Sequence, residues 1–518
     1  MSFRRVGWVA AIALATWLEI SCGQVYRPVV IPISITPPNP ANFHAVFGIS
    51  ANVPFNPGTA LQIDVSGDTS IGVANVGVNP THAVILPNNS RVFVASAGSL
   101  FAGDTDVVTA FFPAAGSSTA TGLSTATTFT LPNVGPINPA TNSSFICSYL
   151  PDFVATTQAT SVFVANYGVE NDPNCNFSST DSVAFLNTSQ GTVGNIEYLP
   201  AGSHPVAMVE TPDAVNLYVL NQGTNTVMDL SPQDLTTLAT IPVGNTPAWA
   251  VARPDNRRVY VVTQGDGQLY TIRTDTNAVI PGSPQSVGGA GANFVLFDKS
   301  LNRLYVTNPS AGAVYVFDAT TDPPTPIGTT SGAITIPPPA PCAGTTCSPV
   351  APVSVAALPD GSRFYVASYV TATSTCPDPN LAVAGCVIPQ ITVFDAPSLA
   401  VRTTVFPLLP PVTQSNGTVV HPFALTPATF CVPVFPYTPA SARLRMSAVA
   451  ATDSSRVYAS MCDGGSVAIV RTNTNTLATG VNATDTLVTD LPAPFSGGPP
   501  QSNNEPAPQS PVFLLSGQ

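Results

Sequence analysis

Apolar residues recur along this chain in short runs of strand length, separated by clusters of Pro, Asp, Asn and Gly. One phrase repeats. It reads ILPNNSRVFVASAG from Ile85, ETPDAVNLYVLNQG from Glu210, ARPDNRRVYVVTQG from Ala252, FDKSLNRLYVTNPS from Phe297, ALPDGSRFYVASY from Ala357 and ATDSSRVYASMCDG from Ala451. A looser copy, TTQATSVFVANYG, begins at Thr156. Each copy predicts a tight turn followed by a strand. Pro-Asp and Asn/Gly pairs supply the backbone angles of hairpin turns, and the aromatic and β-branched runs suit a pleated, packed surface.

The central aromatics of the phrase are Phe93, Phe163, Tyr218, Tyr260, Tyr305, Tyr365 and Tyr458, spaced 70, 55, 42, 45, 60 and 93 residues apart. The two shortest spacings match a four-stranded propeller blade of about 40–45 residues. The longer ones hold cysteine pairs or Pro-rich runs and read as a blade plus inserted loops. Residues 205–244 spell one unit: PVAMVE (205–210) as strand A, LYVLNQ (217–222) as B, TVMDLS (226–231) as C and TTLATIPVG (236–244) as D. One such sheet cannot bury both its faces. Blades set around an axis cover one another and leave only short edges, so every copy solves the same packing problem.

The fold expected is therefore all-β, a single β-propeller over residues 42–518. The segment from Asn42 to Gly77 reads as strands B, C and D, and SPVFLLSG (510–517) as a strand A. Counting then favours eight blades, seven full repeats plus one shared by the termini, with seven blades as the alternative. Residues 482–509 read as loop.

The strand written YVLN, YVTN and YVAS, with the flanking VGNTPAWAVARPDNRRVYVV, resembles the YVTN family of propeller repeats. Tyr305–Asn308 spells that motif in full. The resemblance covers most of residues 43–470 and implies the fold; propellers host unrelated activities, so it implies little about function.

Composition changes the picture in two ways. Only 8% of residues are charged, the formal net charge is −12, and Lys299 is the single lysine. That balance is the wrong sign for a phosphate-binding surface, so nucleic acid is not an expected partner. The N-terminus, in contrast, is a targeting segment. Arg4 and Arg5 precede the apolar run VGWVAAIALATWL, too short for a membrane span, and EISCGQ follows. Residues 1–21 thus read as a signal peptide, and the placement of Cys22 after Ser21 resembles a bacterial lipoprotein signal. Glu19 departs from that pattern, which favours Leu there. The resemblance implies lipid attachment at Cys22, a Pro-rich tether over 22–41, and a site at the bacterial outer membrane, cell surface or periplasm, with the lipid as the only membrane contact. Ordinary secretory cleavage is the alternative.

Eight cysteines remain beyond Cys22, an even number that suits an oxidising compartment. Sequential pairing predicts Cys147–Cys175, Cys342–Cys347, Cys376–Cys386 and Cys431–Cys462, although eight cysteines admit many connectivities. A zinc site fits less well, because the spacings are irregular and no histidine is near.

Residues for chemistry are sparse. The histidines are His44, His82, His204 and His421. His82 and His204 stand at D-to-A junctions, as do Trp249 and Phe294. A ring of His82, His204, Trp249 and Phe294 at the channel is the candidate ligand site; each also serves its own repeat by closing the inner end of a blade. No catalytic residue is assigned. Glu170 and Asp172 share a B-to-C connection and are a weak candidate for loop calcium, with no other cofactor expected. Walker, HExxH and nucleophile-elbow motifs are absent from the sequence. The function expected is an exported, lipid-anchored binding or scaffold module for protein or glycan. The alternative is a propeller enzyme of lactonase or quinoprotein-dehydrogenase type with an axial-channel site.

Overall fold

The computed structural model describes residues 45–517, less 53–55, 99–106, 115–122, 124–126, 132–136, 139–142, 145–146, 173–174, 343–346, 382–384, 408–411, 414–416, 421, 428–430, 432–444, 473–483 and 493–509. The signal peptide, Cys22, the tether, His44 and His421 lie outside the described residues.

Eight antiparallel four-stranded blades form a ring. Blade 1 takes strands B, C and D from Ala45–Asn52, Asn56–Asp64 and Thr69–Val78, and strand A from Ser510–Ser516. The chain thus closes the ring by pairing its two ends, with Val46 opposite Ser516 and Ile49 opposite Phe513. Blades 2 to 8 follow in order, and their A strands begin at Pro80, Pro151, Pro205, Pro247, Phe294, Ala351 and Ala448. The A strands touch one another in sequence around the axis. In blades 5 and 6 strand D is split into two short pieces that pair with the same strand C.

The repeated aromatic explains why the blades hold together. Phe93, Phe163, Tyr218, Tyr260, Tyr305, Tyr365 and Tyr458 are fully buried in the centre of strand B, and Phe47 holds that place in blade 1. It is the eighth copy, which the sequence phrase does not display because blade 1 enters the ring at strand B. Each such side chain stabilises by about 1.5–3 kcal/mol through burial.

The prolines that open several A strands sit where they cost no hydrogen bond. Strand A has a neighbour on one side only, and its inner edge faces the axis. The residues before them, Asn79, Leu150, His204 and Thr246, all have φ near +50° (+50°, +55°, +48° and +51°). Their carbonyls accept from Ala97, Tyr167, Gln222 and Gln264, just past strand B of the same blade. The junction therefore turns back onto the end of its own B strand. The glycine that ends the phrase belongs to this contact: a Cβ on Gly223 would run into the Gly202 carbonyl.

One expectation is corrected. Thr486–Pro492, inside the stretch read as loop, is strand D of blade 8 and pairs with Ser466–Arg471. Outermost strands bury little, so TLVTDLP carries only a weak apolar pattern. The structure joins Cys147–Cys175, Cys342–Cys347, Cys376–Cys386 and Cys431–Cys462, the four sequential pairs. No helix among the described residues is long and apolar enough to cross a membrane.

Candidate functional site

Strand pairing lines up one strand-A residue per blade at a single level of the channel. His82 lies opposite Ala95, Phe153 opposite Ala165, Ala207 opposite Leu220 and Trp249 opposite Val262. Phe294 lies opposite Thr307, Ser354 opposite Ala367 and Phe513 opposite Ile49. Ser447, whose carbonyl accepts from Ser460 N, takes the place in blade 8. Blades 1, 2, 3, 5 and 6 thus carry rings at this level, and blades 4, 7 and 8 carry Ala or Ser.

The rings pack against one another. His82 stacks on Phe153 at 3.6 Å between centroids and 15° between planes, with Phe513 at 4.4 Å and Trp249 edge-on at 5.9 Å. Phe153 meets Trp249 at 5.5 Å, and Trp249 meets Phe294 at 5.1 Å. The tilted and edge-on contacts among these are arrangements that aromatic quadrupoles favour. They link blades 1, 2, 3, 5 and 6, so aromatic side chains fill this side of the channel. Buried His82 accepts at Nδ1 from Val154 N at 3.4 Å.

On the other side, where blades 7 and 8 carry Ser354 and Ser447 at the ring level and Ala356, Ala448 and Ala450 follow along strand A, space remains. A cavity of about 620 Å³ runs along strand A of blades 5 to 8 and blade 1. Trp249, Phe294 and Phe513 form its inner end. Exposed Lys299, Ser300, Pro359 and Thr452, on the A-to-B turns, form its mouth. Volume and apolar lining match those of small-molecule sites. The charged residues that line it are Asp298 and Lys299.

His204 is elsewhere. It holds the junction position before Pro205, whereas His82 sits two residues after its proline. The structural equivalent of His82 in blade 4 is Ala207. Three of the four candidate residues, His82, Trp249 and Phe294, therefore share one ring cluster, and His204 forms a second group. Its ring stacks on Tyr167 at 4.5 Å and 11°. Nδ1 donates to the Tyr167 carbonyl at 3.1 Å and lies 3.3 Å from Asp181 Oδ1. The Asp181 side chain is 0% exposed and that of His204 26%. Asp181 Oδ2 also accepts from Ser203 N at 3.0 Å. The hydrogen bond to Asp181 raises the imidazole pKa, with the Tyr167 carbonyl and the Glu170 charge adding to it against desolvation. Burial, then the charges of Asp181 and Glu170, raise the Tyr167 pKa.

Asp172 Oδ2 accepts from Ser148 N at 3.3 Å, inside the Cys147–Cys175 loop. Glu170 reaches towards Gly202 beside His204. No group of three or more His, Cys, Asp or Glu side chains among the described residues is placed to hold a metal ion.

Sequence reasoning missed Phe153, Phe513, Lys299 and the Tyr167–Asp181 pair. A signal for the first two was present. Pro80, Pro151, Pro205, Pro247, Pro352 and Pro511 each precede the channel residue of their blade by two. Aligning the repeats on that proline, rather than on the junction, brings His82, Phe153, Ala207, Trp249, Ser354 and Phe513 into one column.

No protein-family model matches the chain, and no curated protein does. Solved structures do share its architecture. Dihydro-heme d1 dehydrogenase NirN, in complex with DHE, is 12% identical with a TM-score of 0.51, over 92% of this chain and 75% of that one. The Pseudomonas aeruginosa periplasmic gluconolactonase PpgL is 11% identical with a TM-score of 0.44, over 92% and 99%. Kuenenia stuttgartiensis hydrazine synthase is 16% identical with a TM-score of 0.40, over 66% and 86%. At such identities the likeness is one of fold.

Proposed function

We propose that this protein is an exported propeller that binds a small, largely apolar molecule in its axial cavity. One observation carries the reading: a cavity of about 620 Å³ with an aromatic inner end and a mouth on the A-to-B turns. A packed propeller axis has no structural need for such a space, because side chains of the size found on blades 1, 2, 3, 5 and 6 would fill it. The reading stands in place of capture of protein or glycan by inserted loops, because the axial cavity is the concave surface described above.

Trp249 makes the test direct. The other tryptophans, Trp8 and Trp17, lie in the N-terminal segment. Energy transfer from Trp249 to the neutral dye phenylnaphthylamine is expected with saturable, one-to-one binding. Trp249→Phe should remove the transfer, and Ala450→Phe, which fills the cavity, should remove the binding. Binding that survives Ala450→Phe would place the dye elsewhere and end this reading.

A second reading is catalytic, of the lactonase type. The folds shared with a gluconolactonase and a dehydrogenase are compatible with it, and His204 with its buried Asp181 partner is the acid–base pair that favours it. Turnover of a lactone panel, abolished by His204→Asn with the fold intact, supports catalysis; no turnover leaves the binding reading.

Four disulfides fit export. Lipid attachment at Cys22 belongs to the proposal: labelled fatty acid should enter the wild-type chain in a bacterial host and not the Cys22→Ala chain.

A further inference from the structure

We propose, building on the axial-cavity reading above, that the cavity selects amphipathic organic anions, with the apolar body against Trp249, Phe294 and Phe513 and the acid group at Lys299. The lysine is singular in two respects. It is the chain's only lysine, and it makes no ion pair or hydrogen bond with the described residues while lining the cavity mouth. The arginines nearest in sequence type behave otherwise. Arg258 pairs with Asp322, Arg363 with Asp485, Arg445 with Asp463 and Arg456 with Asp68.

Acidic residues at the same end are already engaged by their own turns. Asp298 Oδ1 accepts from Ser300 N at 2.8 Å, Ser300 Oγ at 2.5 Å and Leu301 N at 3.3 Å. Asp360 accepts from Ser362 N at 2.9 Å and Ser362 Oγ at 2.7 Å, and Asp453 accepts from Ser455 N at 2.9 Å. Neither Asp360 nor Asp453 lines the cavity. Lys299 is therefore the charge at the mouth that a ligand can pair, and a carboxylate or sulfonate on an apolar body satisfies cavity and lysine together. Because these turns make the surrounding potential negative, the selection acts by contact at the mouth rather than by long-range steering.

The test uses two dyes of the same apolar body on the full chain: anilinonaphthalene sulfonate, an anion, and neutral phenylnaphthylamine. Wild-type protein should bind both at one site and compete them against each other. Lys299→Met, an exposed position that the fold does not need, should weaken the sulfonate about fivefold and leave the neutral dye unchanged; Lys299→Arg should restore most of the loss. Ala450→Phe should abolish both. Equal sulfonate binding in wild type and Lys299→Met, with both dyes still lost in Ala450→Phe, overturns the anion selection and leaves the cavity reading standing. Failure of both dyes to bind wild type, or binding untouched by Ala450→Phe, overturns both.

Discussion

Arg363 and Asp485 are 122 residues apart in sequence, and Arg363 Nη1 donates to Asp485 Oδ1 at 2.5 Å. Both side chains are buried. The carboxylate also accepts from Tyr365 Oη at 2.5 Å and Arg402 Nε at 3.2 Å, so it ties strands B and D of blade 7 to the approach of strand D in blade 8. Asp485→Ala would leave the Arg363 guanidinium buried without its carboxylate. A loss of about 3–5 kcal/mol is expected, read as a fall in the urea midpoint. An unchanged midpoint would mean that water replaces the pair.

His204 makes stability depend on pH. Its hydrogen bond to Asp181 raises the imidazole pKa above the ordinary 6.5, so the folded chain holds the proton more tightly than the unfolded one. The added stability is complete below the unfolded-chain value and is lost as pH rises through the folded value. Wild type should therefore lose its advantage over His204→Asn as pH rises above the ordinary imidazole value of about 6.5. Parallel urea midpoints for the two chains across that rise would show that the pair does not titrate with folding.

Gly168, at the end of the looser repeat copy, has φ +78° and backs onto Asp181. An added Cβ would meet the Asp181 backbone and carboxylate while forcing a left-handed residue. Gly168→Ala should cost about 2–4 kcal/mol in thermal or denaturant unfolding and should lower the His204 pKa, because Asp181 must move. Nuclear magnetic resonance titration of His204 reads the second effect; an unshifted titration would separate the glycine from the dyad.

Strand A of blade 1 comes from the far end of the chain. Deleting residues 510–518 removes Ser510–Ser516 from between Ala45–Asn52 and the axis and takes Phe513 from the ring cluster. The truncated chain should lose cooperative unfolding and near-ultraviolet circular dichroism while keeping strand signal, since the other blades keep their own hairpins. A cooperative transition within a few degrees of wild type would show that the ring tolerates an open blade.

The blade and its repetition were legible because each copy carries its own local instructions. Turn residues, a buried aromatic and alternating apolar positions lie within about 40 residues of one another and act on the same hairpins. Closure was legible too, since SPVFLLSG is apolar and has no partner strands of its own nearby. Strand D of blade 8 was not, because an outermost strand buries too little to leave a pattern.

The site depended on information that no single repeat contains. His82 and His204 look alike as junction histidines, yet the proline register sends one into the channel and holds the other at a turn beside Tyr167 and Asp181. The cavity exists because blades 7 and 8 bring Ser447, Ala356, Ala448 and Ala450 around the axis from blades that bring rings. By itself the sequence determined the repeating unit, which follows from local geometry and chain-wide patterning, and it favoured the sequential disulfide pairs and the joining of the ends that the structure then fixed. Only the tertiary structure decided which side chains share the axis, because that depends on strand register compared across eight separate blades.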